Sequence, residues 1–114
     1  KMPMIDSYRF GYIVIDGKGY SKDVIVLPER IITNWWRSEG HRLKLEDLKE
    51  IYDTGIDTLI IGTGAFGMMK VDDETKSELE RKGIKVIIAC SKDAVDIYND
   101  LPKEKTAACF HLTC

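Results

Sequence analysis

Glutamine is absent from this chain, and asparagine occurs only at Asn34 and Asn99. Lysine, glutamate and isoleucine are abundant instead, a bias associated with proteins from hot environments. Cysteine is also scarce. Cys90, Cys109 and Cys114 are an odd number crowded into the last quarter, which argues against a secreted disulfide framework. No apolar run approaches the ~20 residues of a membrane span. The amino end, Lys1 to Asp6, lacks the long apolar core of a secretion signal, so the expectation is a cytoplasmic protein with no membrane partner. Charge of either sign is not in excess. A net charge of −2, with no basic stripe interleaved with aromatics, gives no field for nucleic acid.

What is present suits one globular domain: 114 residues, 44% of them hydrophobic and 32% charged. The chain is organised around Asp57 to Gly67. Leu59, Ile60 and Ile61 form an apolar run that stops abruptly at Gly62, as a strand buried on both faces does when it enters a loop. Phe10 to Asp16 alternates like a strand, and Asp16-Gly17-Lys18-Gly19 is a hairpin turn to a returning strand, Tyr20 to Leu27. Pro28-Glu29 breaks the ladder, and Arg30 to Trp36 returns as a third strand of an antiparallel meander. Trp35 and Trp36 then point to opposite faces, one toward the core and one toward a surface; filling gaps between the meander and the helices is the plainer role for both rings, and a partner or ligand surface is the alternative.

Arg37 to Lys44 reads as a polar loop. From Leu45 the period becomes helical through Leu48, Ile51 and Tyr52, and Gly55 closes the end. Asp72 is an N-cap for a largely exposed helix that runs to Lys82. Ile84 to Ala89 is a second apolar strand, Ser91 caps a third helix ended by Pro102, and Thr106 to Thr113 is a final strand. Right-handed crossovers make the three strands from Asp57 onward parallel. The expected fold is a three-layer α/β domain. Its mixed central sheet has a strand-helix-strand-helix-strand half and an N-terminal antiparallel meander.

Gly62-Thr63-Gly64-Ala65-Phe66-Gly67 has the spelling G-x-G-x-x-G, yet it lacks the context of a dinucleotide site. The helical pattern starts only after Val71, and its first turn carries Asp72, Asp73 and Glu74, which repel phosphate. In Cys109-Phe110-His111-Leu112-Thr113-Cys114, strand geometry puts Cys109, His111 and Thr113 on one face. Zinc needs four ligands, and no Cys-x-x-Cys pair or second nearby His supplies them, so no metal or other cofactor is expected. His111 beside Cys114 or Cys90 would be the arrangement for nucleophilic chemistry. Core packing is the plainer role for Cys90 and Cys109.

The Gly62-Thr63-Gly64 loop, the segment Ala94 to Asn99 ending in Tyr98-Asn99, and the terminal Phe110-His111-Leu112-Thr113-Cys114 together resemble a family of small proteins. It is spread across archaea, bacteria and eukaryotes. It includes a methanogen hypothetical protein, the adipogenesis-associated protein and the mitochondrial complex I assembly factor three. Arg9-Phe10-Gly11 and Trp36-Arg37 extend the resemblance over nearly the whole chain. It implies an α/β fold with an extra antiparallel layer, and, from eukaryotic members that act in respiratory-complex assembly and in the regulation of fat-cell metabolism, a role in interaction rather than turnover. It also implies a site at Gly62, Thr63, Gly64, His111, Thr113 and Cys114, with Trp36 and His41 more loosely placed.

Two functions are therefore expected. The first is a non-enzymatic binding or assembly module that docks a protein partner through the glycine loop and the carboxyl-terminal strand end, where open α/β sheets gather ligands. The second is a carrier or enzyme for a small anionic ligand, with loop amides holding the anion, His111 moving protons and Cys114 or Cys90 as nucleophile. An exposed tryptophan or meander edge would support a homodimer. The composition predicts that the purified protein melts well above ~50 °C; a calorimetric midpoint near that value removes the thermophile reading.

Overall fold

The computed structural model describes residues 2–114; Lys1, part of the amino-terminal stretch read above, lies outside them. The chain opens with three short strands, β1 (Ile5–Arg9), β2 (Tyr12–Ile15) and β3 (Lys18–Tyr20), which form a separate antiparallel sheet. β4 (Val24–Val26) and β5 (Ile31–Ile32) follow, then β6 (Arg42–Leu43) and a 3-10 helix at Leu45–Ile51. β7 (Thr58–Gly62), β8 (Lys70–Val71), α1 (Asp73–Arg81), β9 (Lys85–Ala89), α2 (Ser91–Asp100) and β10 (Thr106–Phe110) complete the order.

The main sheet runs β5-β4-β10-β7-β9. β10, β7 and β9 are parallel, and β4 joins β10 antiparallel, so the sheet is mixed as expected. β4, β7 and β10 are apolar at successive positions because both their faces are covered, whereas β9, at the sheet edge, is only half-buried and leaves Ile88 exposed. Ile25, Leu59, Ile61, Ala107 and Cys109 enter one core with Leu48, Ile51 and Leu79 from the 3-10 helix and α1. Val24, Val26, Ile60, Ala108 and Phe110 enter the other, with Ala94 and Tyr98 from α2 and Ile13 and Ile15 from the small sheet. Three layers result, with the main sheet in the middle. Each Leu or Ile so buried contributes about 1.5–3 kcal/mol.

Several expected boundaries move. The Asp16-Gly17 turn is present, with φ of 48° and 79°, but Lys18 and Gly19 already belong to β3. Phe10-Gly11 is a turn after β1 rather than the start of a strand, since Gly11 takes φ 78° and donates its amide to Leu112 O. The single strand expected over Tyr20 to Leu27 divides into β3 and β4, which lie in different sheets, so the meander is split between two layers. The break falls at Ser21 to Asp23, where the Asp23 carboxylate turns inward to His111. From Arg30 to Trp36 only Ile31–Ile32 pairs, and Asn34, at φ 53°, turns the chain away. The stripe from Leu45 forms a 3-10 helix interrupted at Leu48 rather than a regular α-helix. The Asp47 carboxylate accepts the Lys44 amide there and tightens the entry. Ser91 is the first helical residue after Cys90 rather than the cap.

Trp35 and Trp36 separate as expected, at 7% and 77% exposure, although neither lies on a strand. Tyr98 and Asn99 tie α2 to the amino terminus: the Tyr98 hydroxyl donates to Pro3 O, and the Asn99 amide accepts from Ile5 N at 3.2 Å and donates to Ile5 O at 2.8 Å. That side chain substitutes for a neighbouring strand along β1. Asn99→Ala should cost about 1–3 kcal/mol, because it leaves both Ile5 groups without their partner. Urea unfolding, read with hydrogen exchange at Ile5, measures it.

Candidate functional site

β10 ends at Phe110 because the next amide, after His111 N, leaves the ladder. His111 N still donates to Gly62 O at 3.0 Å, but Leu112 N turns to the Asp23 carboxylate at 2.8 Å. This bend delivers the His111 ring to Asp23, which precedes β4, and to Arg37, which follows the two tryptophans. Asp23 Oδ2 lies 2.9 Å from both Arg37 Nη2 and His111 Nδ1. Arg37 Nη2 also lies 3.0 Å from Gly40 O and 3.1 Å from His111 Nδ1. Its two hydrogens go to the two oxygens, so donor counting places a hydrogen on His111 Nδ1, donated to Asp23. Nε2 then presents its other face to Thr113 Oγ1 at 3.5 Å.

The cluster is deep. Arg37 and His111 side chains are 4% and 8% exposed, and Asp23 is 16% exposed. Arg37 Cζ lies 4.7 Å from the centre of the Trp35 ring, and Trp35 is fixed in turn by its indole N–H, which donates to Asp47 O. Burial pushes the Asp23 carboxyl upward, but the His111 hydrogen bond, the Leu112 amide and the Arg37 charge outweigh it and hold it below its ordinary value of 3.8. Above the cluster opens a cleft of about 670 Å³, with Lys22, Asn34 and Trp36 on its walls and His111 and Thr113 on its floor. A second cleft of about 420 Å³, lined by Asp57, Leu101 and Thr106 at the other end of the strands, holds no such cluster.

The glycine loop sits beside this site and does a different job from the one expected. Gly62, Thr63 and Gly64 are buried. The amides expected to face a ligand are occupied internally: Thr63 N by Ala89 O, Gly64 N by Ser91 Oγ, Ala65 N by Thr113 O, and Phe66 N and Met68 N by Cys114 O. Gly64 is required for contact, not for anion approach. At its φ of 105° a Cβ would press on the Cys114 carbonyl and come within 2.9 Å of His111 Cδ2, and at Gly62 a Cβ would come within 2.7 Å of Phe110.

Of the other residues singled out, Trp36, His111 and Thr113 line the cleft together. His41 is exposed, with its ring 5.8 Å from that of His111 in an edge-to-face pose. Cys109 is fully buried core, and burial pushes its thiol well up. Cys90 and Cys114 are half-buried, and neither shares a hydrogen bond with His111 among the described residues. The thiol-imidazole pair of the enzyme reading is therefore not assembled. No group of three or more His, Cys, Asp or Glu able to hold a metal occurs among the described residues. Asp23, Arg37 and Lys22 were missed by sequence reasoning. The one available signal was Arg37 directly after two tryptophans, where a buried stem would oblige the guanidinium to find a carboxylate.

A family model described as "Protein of unknown function (DUF498/DUF598)" matches residues 5–112. The chain belongs to this family. Its DUF498/DUF598 match takes in every residue of the cluster, from Asp23 to His111. Among solved structures, the conserved hypothetical protein PH1505 from Pyrococcus horikoshii OT3 is 30% identical, with a TM-score of 0.81 over 96% of this chain and 98% of that one. A protein called MT938 is 21% identical, with a TM-score of 0.80 over 98% and 99%. A Mth938-like domain protein from Bordetella pertussis is 16% identical, with a TM-score of 0.72 over 96% and 85%. The last two share the fold. Among the described residues no helix is long and apolar enough to cross a membrane.

The cluster predicts a pH dependence with a definite sign. Because folding lowers the Asp23 value, its contribution is complete above the ordinary 3.8 and is lost as pH falls through the lower folded value. Asp23→Asn should lose about 3–5 kcal/mol at neutral pH, since Arg37 is left buried without its counter-charge, and should flatten the acid limb below pH ~4. Chemical denaturation of both proteins from pH 2 to 7 decides it.

Proposed function

We propose that this DUF498/DUF598 protein is a non-enzymatic binding or assembly module. Its recognition surface is the cleft between Lys22 and Trp36, not the glycine loop. The observation that carries this is Trp36: a tryptophan left 77% exposed on the wall of a cleft with a charged floor. Large aromatic anchors of this kind dominate recognition surfaces, because they bury much apolar area for few frozen torsions. The floor supports holding rather than turnover, since Asp23, Arg37 and His111 are bonded chiefly to one another and neither thiol is bonded to the imidazole. Phe10 and Phe66, 52% and 74% exposed with rings 6.1 Å apart, extend the apolar surface near the carboxyl terminus. The resemblance to a respiratory-complex assembly factor runs in the same direction.

A second reading is favoured by one distance. Asp23 Oδ2, His111 Nδ1 and Nε2, and Thr113 Oγ1 follow one another at 2.9 and 3.5 Å, an acid-imidazole-hydroxyl order that would activate Thr113 in place of the expected cysteines. Ester hydrolysis abolished by Thr113→Ala in a protein of unchanged melting temperature would establish this reading over the first.

The binding reading is tested by native mass spectrometry of the protein recovered from its own cells, beside Trp36→Ala. A retained molecule or partner lost in the variant is the expected result. Retention that ignores both Trp36→Ala and Lys22→Glu would place recognition elsewhere and sink the proposal.

A further inference from the structure

The Arg37 side chain is 4% exposed and lines the cleft, yet its Nε and Nη1 have no hydrogen-bond partner among the described residues. Three N–H donors of a buried cation are thus unmatched. Each orphaned donor is costly in a desolvated setting, and such groups in a native protein commonly mark the place of a missing ion or ligand. The Trp35 ring, 4.7 Å from Arg37 Cζ, attracts the cation but offers those donors no oxygen or nitrogen acceptor. The charges around the cleft are Arg37 and Lys22 against Asp23, an excess of one positive charge. A monoanion balances it, whereas a phosphate dianion would overshoot and face the Asp23 carboxylate. On the same cleft the broad face of Trp36 lies open to solvent.

From these observations, and resting on the cleft being the recognition surface, we infer that it receives a small ligand bearing one carboxylate on a flat apolar body. The carboxylate meets Arg37 and Lys22, and the body stacks on Trp36. Arg37 Nε and Nη1 lie beneath the cleft surface, so occupancy slides the guanidinium along Trp35 and alters the emission of both tryptophans. A volume of about 670 Å³ accommodates such a molecule.

Benzoate is the probe, with benzamide as its neutral isostere and inorganic phosphate as the competing anion. Titrations are followed by tryptophan fluorescence and by amide and side-chain chemical shifts. Benzoate should saturate, with shifts centred on Lys22, Trp36, Arg37 and His111, and should bind at least about tenfold tighter than benzamide. Lys22→Glu, at an exposed position that leaves the fold intact, should weaken benzoate about tenfold. Arg37→Gln should abolish binding if it folds, and Lys22→Glu decides the matter if it does not. Benzamide binding as well as benzoate overturns the anion, and phosphate binding as tightly as benzoate overturns the flat monoanion. Silence from benzoate, with a retained molecule that still depends on Trp36, overturns this ligand class and leaves the binding module standing. Silence from benzoate with no Trp36-dependent retention overturns both.

Discussion

After β10 the chain leaves the ladder of the main sheet, yet His111 and Leu112 stay buried, and Thr113 and Cys114 half-buried, beside the carboxyl end of β7. Every backbone group there needs a partner. Ser91 Oγ donates to His111 O, the Asp23 carboxylate accepts from Leu112 N, Gly11 N and the Tyr8 hydroxyl donate to Leu112 O, Ala65 N donates to Thr113 O, and Phe66 N and Met68 N donate to Cys114 O. These partners come from the small sheet, the β3–β4 junction, the glycine loop and α2. The need to satisfy one short segment therefore draws all of them to one point. The candidate site is a by-product of that convergence.

The ionic part of the convergence has a different energetic character. Desolvating Asp23 and Arg37 costs several kcal/mol per ion, and their attraction recovers it only because the Leu112 amide and the imidazole complete the carboxylate's shell. An apolar trio of the same volume could be as stable. What the charges add is register: an Asp, an Arg and a His that are far apart in sequence can satisfy one another in a single arrangement. That arrangement leaves His111, Thr113 and Trp36 facing the same cleft.

The exposed aromatic and the unsatisfied guanidinium edge are unfavourable for an isolated chain. Natural sequences tolerate such departures where recognition requires them. Both occur here within one cleft, while the stretch spelled like a nucleotide loop is internally satisfied throughout. The G-x-G-x-x-G spelling marks a tight approach of backbone to backbone, and the unsatisfied groups lie in the cleft instead.

The layers were legible because they follow from local rules. The apolar run Leu59–Ile61 requires a strand covered on both faces, and the strand-helix alternation after Asp57 sets the parallel order of β7, β9 and β10, although the similar run at Ile84–Ala89 lies half-buried at the sheet edge. The separation of Trp35 from Trp36 matched the expectation, but not through the strand alternation that predicted it, because neither residue lies on a strand. The division of Tyr20 to Leu27 between two sheets was not legible. Nothing in Ser21-Lys22-Asp23 announces a break until a carboxylate is seen to be needed 88 positions further on, at His111. Nor was the fate of the glycine amides, because glycine records only that backbone comes close, not what it approaches. The sequence by itself determined the parallel half of the main sheet and its mixed character, because both follow from local apolar runs and from the strand-helix alternation. Tertiary structure alone decided which charges share the site, because complementarity between distant side chains depends on distances that no local period encodes.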